Sequence, residues 1–111
     1  MVLAKTELFD NDLQSCAELC KALSHPARLA ILKFLSDAKM CITGDITEEL
    51  PLSRTTVNQH LKELKDVGLI VGVTEGVKTN YCLNPQRVEE LKEAIQSYLD
   101  MLDTTGCNCC K

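Results

Sequence analysis

The chain has 111 residues, enough for one compact domain and too few for two of ordinary size. No apolar run is long enough to span a bilayer, and acidic residues interrupt the start where a signal peptide needs an apolar stretch, so we expect a cytoplasmic protein with no membrane partner. The net charge of −4 argues against a nucleic-acid partner, but the acidic excess lies at the two ends, and residues 53–66 carry three cations against two anions.

The first half of the chain predicts three helices. Residues 12–23 form an amphipathic pattern, with Leu13, Cys16, Cys20 and Leu23 on the apolar face. A second helix starts at Ser24-His25-Pro26, because proline is favoured in a first helical turn, and its apolar run predicts burial. Thr43 is a candidate N-cap for a short third helix that Pro51 ends.

A fourth helix follows. Ser53 can cap its start, Gly68 suits its end, and Val57, Leu61 and Leu64 form its inward stripe. The next stretch, LIVGVTEGVKTNYCL, is rich in β-branched residues and predicts a two-stranded hairpin, with its turn at Glu75-Gly76.

Asn84-Pro85 starts the last helix, whose apolar residues recur every three or four positions. This spacing is typical of a seam that packs against a partner helix. The seam residues are Val88, Leu91, Ile95, Tyr98 and Leu102.

This order of elements predicts a mostly α fold with a β-hairpin wing, the winged helix-turn-helix. An apolar stripe on the terminal helices would be exposed in a monomer, so we expect a homodimer formed through those helices. We predict a single domain over residues 1–111, with a folded body at 12–102 and a cysteine-bearing tail at 103–111.

Three segments in this order, ALSHPARLAILKFL, LPLSRTTVNQHLKELKDVGLI and NYCLNP, resemble the ArsR/SmtB family of bacterial metal- and metalloid-responsive repressors. The resemblance covers roughly residues 13–102. It implies a homodimeric repressor that binds operator DNA when free of ligand and releases it on binding a ligand. Arsenic-responsive members are the most similar branch.

Within this resemblance, residues 53–67 form the recognition helix, whose outward polar side chains are candidate contacts to base edges and phosphates. On the wing, Lys78 and Thr79 are candidates for backbone phosphate. His60 has two interpretations, a groove contact or a half-buried histidine beside Leu61. The candidate DNA-binding residues of the helix are Ser53, Arg54, Thr55, Thr56, Asn58, Gln59, His60 and Lys62.

The effector is expected at the tail. Trivalent arsenic and antimony prefer three thiolates, and Cys107, Cys109 and Cys110 supply three sulfurs within the last five positions of the chain. Some arsenic-responsive relatives carry cysteines at the end of their last helix, and this tail resembles theirs. We therefore predict a repressor that releases its operator on binding arsenite, antimonite or methylarsenite through these thiolates.

Other sites are less well supported. The last helix has no histidine, so the zinc site of family members is absent there. Cys41 stands where arsenic-responsive members begin a Cys-x-Cys pair, but the second position is Thr43, and Cys41 is better explained by packing. Cys16 and Cys20 remain possible secondary thiols, either packed or joining tail cysteines across a dimer.

Two other function classes are open to comparison. A thiol-redox or persulfide sensor of the same fold would need only two of the cysteines. An enzyme or metal-thiolate carrier is disfavoured, because the chain has no phosphate-binding glycine loop, no nucleophile beside a base and no Cys-x-x-Cys after a strand. We expect no catalytic activity.

Overall fold

The structure, a computed structural model, describes residues 9–38, 42–43, 51–75 and 78–107. Helices and a small sheet alternate along the chain in the order expected for a winged helix. The elements are α1 (Asn11–Ala22), α2 (Pro26–Ala38), β1 (Ile42–Thr43), α3 (Arg54–Asp66), β2 (Ile70–Glu75), β3 (Lys78–Leu83) and α4 (Pro85–Asp100). The predicted mostly α fold with a hairpin wing is confirmed.

Both ends of α3 follow from local sequence. Ser53 Oγ accepts a hydrogen bond from the Thr56 amide at 3.3 Å, which satisfies one of the free N–H groups of the first turn. At the other end Gly68 adopts a left-handed φ of 84°. The amides of Gly68 and Leu69 then donate back to the carbonyls of Lys65 at 2.9 Å and Leu64 at 3.1 Å, closing the helix as a Schellman motif.

Among the described residues the sheet has three strands in the order β1-β3-β2, and neighbouring strands are antiparallel. The prediction of a two-stranded hairpin was incomplete, because Ile42 and Thr43 add a short strand opposite Tyr81 and Asn80. Two residues show no periodicity in sequence, and only pairing with β3 makes them a strand. Thr43 is therefore part of β1, and the short helix predicted to follow it falls at residues 44–50, outside the described residues.

The turn of the hairpin lies slightly later in the chain than predicted. β2 runs through Glu75, which pairs with Lys78 at the start of β3. Glu75 therefore belongs to the strand, whereas the turn was predicted to include it. Gly76, the other predicted turn residue, lies outside the described residues.

The core lies where the first three helices meet the start of the wing. The three residues predicted as the inward stripe of α3 are all buried there, and Ile31 of α2 is fully enclosed. The core consists of Leu19, Ala22, Ile31, Leu35, Val57, Leu61, Leu64, Leu69 and Ile70.

The last helix contacts this core only along one edge. Asn84 caps its start by accepting from the Arg87 amide at 3.4 Å, and Pro85 occupies its first position, as predicted. No residue of α4 is buried, although its apolar residues follow a helical period. Large apolar side chains gather at its exposed end and beside α1. They are Phe9, Leu13, Tyr98, Leu99, Met101 and Leu102.

Candidate DNA-binding surface and cysteine sites

One face of α3 presents polar side chains to solvent, opposite its buried stripe. Within the described residues, none of these side chains makes a hydrogen bond or ion pair, so each is available to a ligand. Short polar groups and long cations are interspersed along this face, as base and phosphate contacts require. We call it the α3 polar face; it consists of Arg54, Thr55, Asn58, Gln59 and Lys62.

Ser53 and Thr56 lie at the start of the same helix. Their hydroxyl oxygens are 3.0 Å apart, and Ser53 also caps the helix. Ser53 is exposed whereas Thr56 is half-buried. Their observed role is to fix the first turn, which orients the α3 polar face, and any contact to DNA would be made from this constrained geometry.

His60 turns inward. Its side chain is only 8 % exposed, and its Nδ1 accepts a hydrogen bond from Arg28 Nε at 3.1 Å. Its ring centroid lies 4.3 Å from that of His25. Of the two interpretations of His60, the structure favours burial over a groove contact.

Arg28 connects three helices through these contacts. Besides His60 on α3, its Nη1 donates to the carbonyls of Lys21 at 3.2 Å and Ala22 at 3.4 Å, at the end of α1. An arginine at a helix C-terminus satisfies carbonyls that have no partner in the helix. Arg28 therefore positions α3 against α1 and α2. The sequence carried no periodic or motif signal for this role.

The buried environment of His60 favours its neutral form. Desolvation lowers its pKa below the ordinary value of 6.5, the positive charges of His25 and Arg28 lower it further, and Glu63 opposes them. Because Nδ1 accepts from Arg28, the proton of the neutral ring lies on Nε2, which has no partner among the described residues.

This arrangement predicts that acid weakens the fold. Between pH 6.5 and its lowered folded-state pKa, His60 is protonated in the unfolded chain and neutral in the folded chain. The stability that the neutral ring contributes is therefore complete above pH 6.5, begins to fall below 6.5, and is lost once the pH has fallen through the folded-state pKa. Denaturant unfolding between pH 5 and 8 should show this loss. The variant His60→Gln, whose amide oxygen can still accept from Arg28, should show a smaller one. Identical pH curves for the two proteins would contradict the assignment.

The wing supplies the other predicted DNA contacts. Thr79 is half-buried in β3, one residue after Lys78, which begins the strand. The Lys78 side chain lies outside the described part of the chain, so its position rests on the backbone alone. Val71 and Val73 of β2 are exposed, which leaves an apolar surface on the same hairpin.

The far end of α3 is joined to α4 by Arg87. Its Nε donates to the Val67 carbonyl at 2.9 Å, and its Nη1 bonds Glu90 at 2.7 Å. Its aliphatic part packs over Gly68, where any added Cβ would lie 3.6 Å from the Arg87 Cγ. The recognition helix is thus attached to α4 at one end and through Arg28 to α1 and α2.

Only one of the three tail cysteines is within the described residues. Cys107 is exposed and follows Gly106, whose φ of 79° turns the chain after α4. The Cys107 amide donates to the Thr104 carbonyl at 3.1 Å. Cys109 and Cys110 lie outside the described residues, so the proposed three-sulfur site stays a prediction.

Of the cysteines in the wing region, the structure describes Cys82. Cys82, half-buried in β3, is disulfide-bonded, which the sequence did not indicate. Cys41, which we expected to be a packed residue, lies outside the described residues.

The α1 cysteines lie one turn apart with unequal exposure. Cys16 is 8 % exposed and donates to the Ala94 carbonyl of α4 at 3.7 Å. Cys20 is exposed, because the buried side of α1 is centred nearer Leu19 and Ala22 than the apolar stripe suggested. Desolvation, a hydrogen bond with Cys16 and charge repulsion between the two groups raise the pKa of the Cys20 thiol.

A capped recognition helix with a polar outer face, followed by a hairpin wing, defines a winged helix-turn-helix DNA-binding protein. No helix within the described residues has the length and apolar character needed to cross a membrane.

Comparison with known proteins agrees with this class. A family profile described as "Bacterial regulatory protein, arsR family" matches residues 25–71. The arsenical resistance operon repressor of Staphylococcus xylosus is 36 % identical over 93 residues, which are 82 % of this chain and 85 % of that protein. The HTH-type transcriptional regulator YgaV of Escherichia coli strain K12 is 33 % identical over 78 residues, 70 % of this chain and 79 % of that protein.

Solved structures share the fold. An ArsR-like transcriptional regulator from Rhodococcus sp. RHA1 aligns with a TM-score of 0.66 at 24 % identity, covering 83 % of this chain and 89 % of that one. The chain belongs to the arsR family of bacterial regulatory proteins. It is a transcriptional repressor of that family and not an enzyme, as predicted.

Proposed function

We propose that this repressor is a homodimer that binds operator DNA through the α3 polar face and releases it when trivalent arsenic binds the tail thiolates. The exposed Cys107, placed by the left-handed Gly106 seven residues after the end of α4, is the observation that carries the effector assignment. The similarity to an arsenical resistance operon repressor supports the choice of arsenic.

The dimer is proposed from the exposed apolar surface of α1 and α4. Leu99 is 51 % exposed and Leu102 55 %, and α4 buries none of its apolar residues within one chain. A second copy of the same surface would cover both, as a two-fold interface requires. Two copies of α3 would then read two half-sites of an operator.

The chemistry of the tail favours a soft trivalent centre. Arsenite presents three exchangeable oxygens, and three thiols replace them with loss of water, so no oxidant is needed. Cys109 and Cys110 follow Cys107 within three residues, and closing such short loops costs little chain entropy. Soft thiolates select arsenic or antimony over hard cations such as magnesium. We also propose that residues 103–111 act as a tail separate from the folded body.

The test removes the thiols and keeps the DNA-binding body. Operator affinity is measured by fluorescence anisotropy for the full chain and for a variant with Cys107, Cys109 and Cys110 replaced by serine. Saturating arsenite should weaken operator binding by the full chain about 5- to 150-fold, the usual range of coupling between two sites. The serine variant should bind the operator equally well with and without arsenite.

A chain truncated after Thr105 is the companion variant, because it removes the same thiols by a different change. Both variants should match the full chain in operator affinity without arsenite, which shows that the body is intact. If either still releases the operator in arsenite, the tail is not the effector site.

A second candidate function is favoured by the disulfide at Cys82. An oxidised thiol in the wing strand suits a repressor that senses thiol oxidation or persulfide. Dilute peroxide, added in place of arsenite, separates the two proposals: loss of operator binding with a matching mass change supports redox sensing. Indifference to peroxide together with a response to arsenite supports the arsenic sensor.

A further inference from the structure

Cys16 and Cys20 form a dithiol on α1 that the proposed tail site does not use. Residues four apart in a helix lie on neighbouring turns of one face, with about 5–6 Å between their Cβ atoms. Cys20 is exposed, so a reagent in solution reaches it first, while Cys16 lies under it against α4. A compound from solution would therefore react with Cys20 first and then with the more buried Cys16.

A cavity of about 350 Å³ lies between α1 and α4, with Cys16 in its wall. Its apolar lining consists of Leu13 from α1 and Ala94, Tyr98 and Met101 from α4, and carboxylates lie among the other lining residues. A cavity of roughly 150 Å³ is large enough for benzene in a protein interior. This cavity can therefore hold a group as large as a phenyl ring beside the Cys16 sulfur.

We propose that Cys16 and Cys20 form a second effector site that binds one monosubstituted trivalent arsenical, with its organic group in the α1–α4 cavity. Such a compound keeps one arsenic–carbon bond and has two exchangeable positions, so it requires two sulfurs where arsenite requires three. This inference rests on the proposed function in one respect, because it extends the effectors of the proposed arsenic sensor to organic arsenicals. The site itself does not depend on the tail.

The capture reaction needs no oxidant or reductant. Two S–H bonds and two As–OH bonds break, two As–S bonds form, and the two hydrogens leave with the two hydroxyls as two water molecules. Arsenic stays trivalent, and no charge moves. The compound enters uncharged, so the carboxylates around the cavity do not repel it.

Binding at this site alters the contact between α1 and α4. The Cys16 thiol now donates to the Ala94 carbonyl, and a sulfur bonded to arsenic has no hydrogen to donate. The carbonyl loses its contact with Cys16, and the organic group enters the space between the two helices. Both changes act on the helices proposed to form the dimer, which gives the site a route to the recognition helices.

The test uses phenylarsenous acid in a background that removes other thiol pairs. The background variant keeps Cys16, Cys20 and Cys41. Its other four cysteines are replaced by serine: Cys82→Ser, Cys107→Ser, Cys109→Ser and Cys110→Ser. Its fold is checked by operator binding. Native mass spectrometry should then show one bound phenylarsenic group per chain, with the loss of two waters.

The matched control keeps the number of thiols and changes their spacing. It adds Cys20→Ser and Glu18→Cys to the background, and Glu18 is exposed on α1. A residue two positions from Cys16 lies about 200° around the helix, so the new pair cannot share one arsenic atom. This control should bind phenylarsenous acid at least tenfold more weakly. Equal binding by the two variants would overturn the proposal.

A second measurement uses the unaltered chain, so that the result does not depend on how the variants fold. After reaction with phenylarsenous acid, Cys16 and Cys20 should both be protected from alkylation in a peptide map. Modification of either at the rate of the untreated protein would also overturn the site. Adduct formation at Cys16 and Cys20 and arsenite-driven operator release are separate measurements. Each proposal can therefore fail without affecting the test of the other.

Discussion

Replacing Leu99 by aspartate should dissociate the proposed dimer and abolish tight operator binding. Leu99 is half-exposed on α4 among the other uncovered apolar side chains. A two-fold interface would receive the new charge twice, and moving a carboxylate out of water costs several kcal/mol. A cost of about 4 kcal/mol raises the dimer dissociation constant about a thousandfold. Sedimentation at micromolar concentration should show a dimer for the wild type and a monomer for Leu99→Asp.

Gln96→Glu is the control, since it changes the net charge by the same amount at an exposed polar position of α4. It should leave the dimer and operator binding nearly unchanged, losing only a surface hydrogen bond to Asp100. Circular dichroism should show that both variants keep their helices. A stable wild-type monomer, or a dimer of Leu99→Asp as tight as the wild type, would remove α4 from the interface.

Removing the two cations of the α3 polar face should weaken binding to all DNA sequences. Arg54 and Lys62 are exposed, and neither is engaged in an ion pair within the described residues. Each phosphate contact contributes about 0.9 to the slope of log affinity against log salt. The double variant Arg54→Ala/Lys62→Ala should therefore lose about 2 from that slope for each half-site and bind on the order of tenfold more weakly or worse at physiological salt.

Two further variants separate charge from sequence reading. Gln59→Ala should lose about 1–3 kcal/mol of discrimination for the operator and leave the salt slope unchanged. Lys92→Ala removes a cation from α4, whose partner is the exposed Glu89, and should change neither quantity much. If the Arg54 and Lys62 variant keeps the wild-type slope, these side chains do not face phosphate and the recognition surface must be assigned again.

The parts of the fold set by local chemistry were predictable. Ser53 and Asn84 each cap the start of a helix with a side-chain oxygen, and Gly68 ends α3 through its positive φ. Each lies where the sequence predicted it. The inward stripe of α3 was also predictable, because an apolar repeat at helical spacing has only one side to bury.

Features that depend on tertiary contacts were not predictable. β1 exists only because β3 offers it a partner, and two residues carry no pattern of their own. Arg28 lies in a helix read as simply apolar, and its role comes from where the end of α1 and His60 happen to meet it. The exposed position of Cys20 likewise depends on how α1 is rotated about its axis against the core. The spacing of its apolar residues fixes this rotation only to within a fraction of a turn.

The junction that Arg87 makes between α3 and α4 has two arrangements, intact and broken. While its Nε donates to the Val67 carbonyl at 2.9 Å, a small rotation of α4 moves the end of α3 with it. A larger rotation breaks this bond and also separates the arginine stem from Gly68. Packed contacts of this kind are kept or lost and do not stretch by degrees. Operator occupancy should then follow the fraction of molecules in which this junction is intact, because a ligand that acts through α4 can only shift the balance between the intact and the broken arrangement.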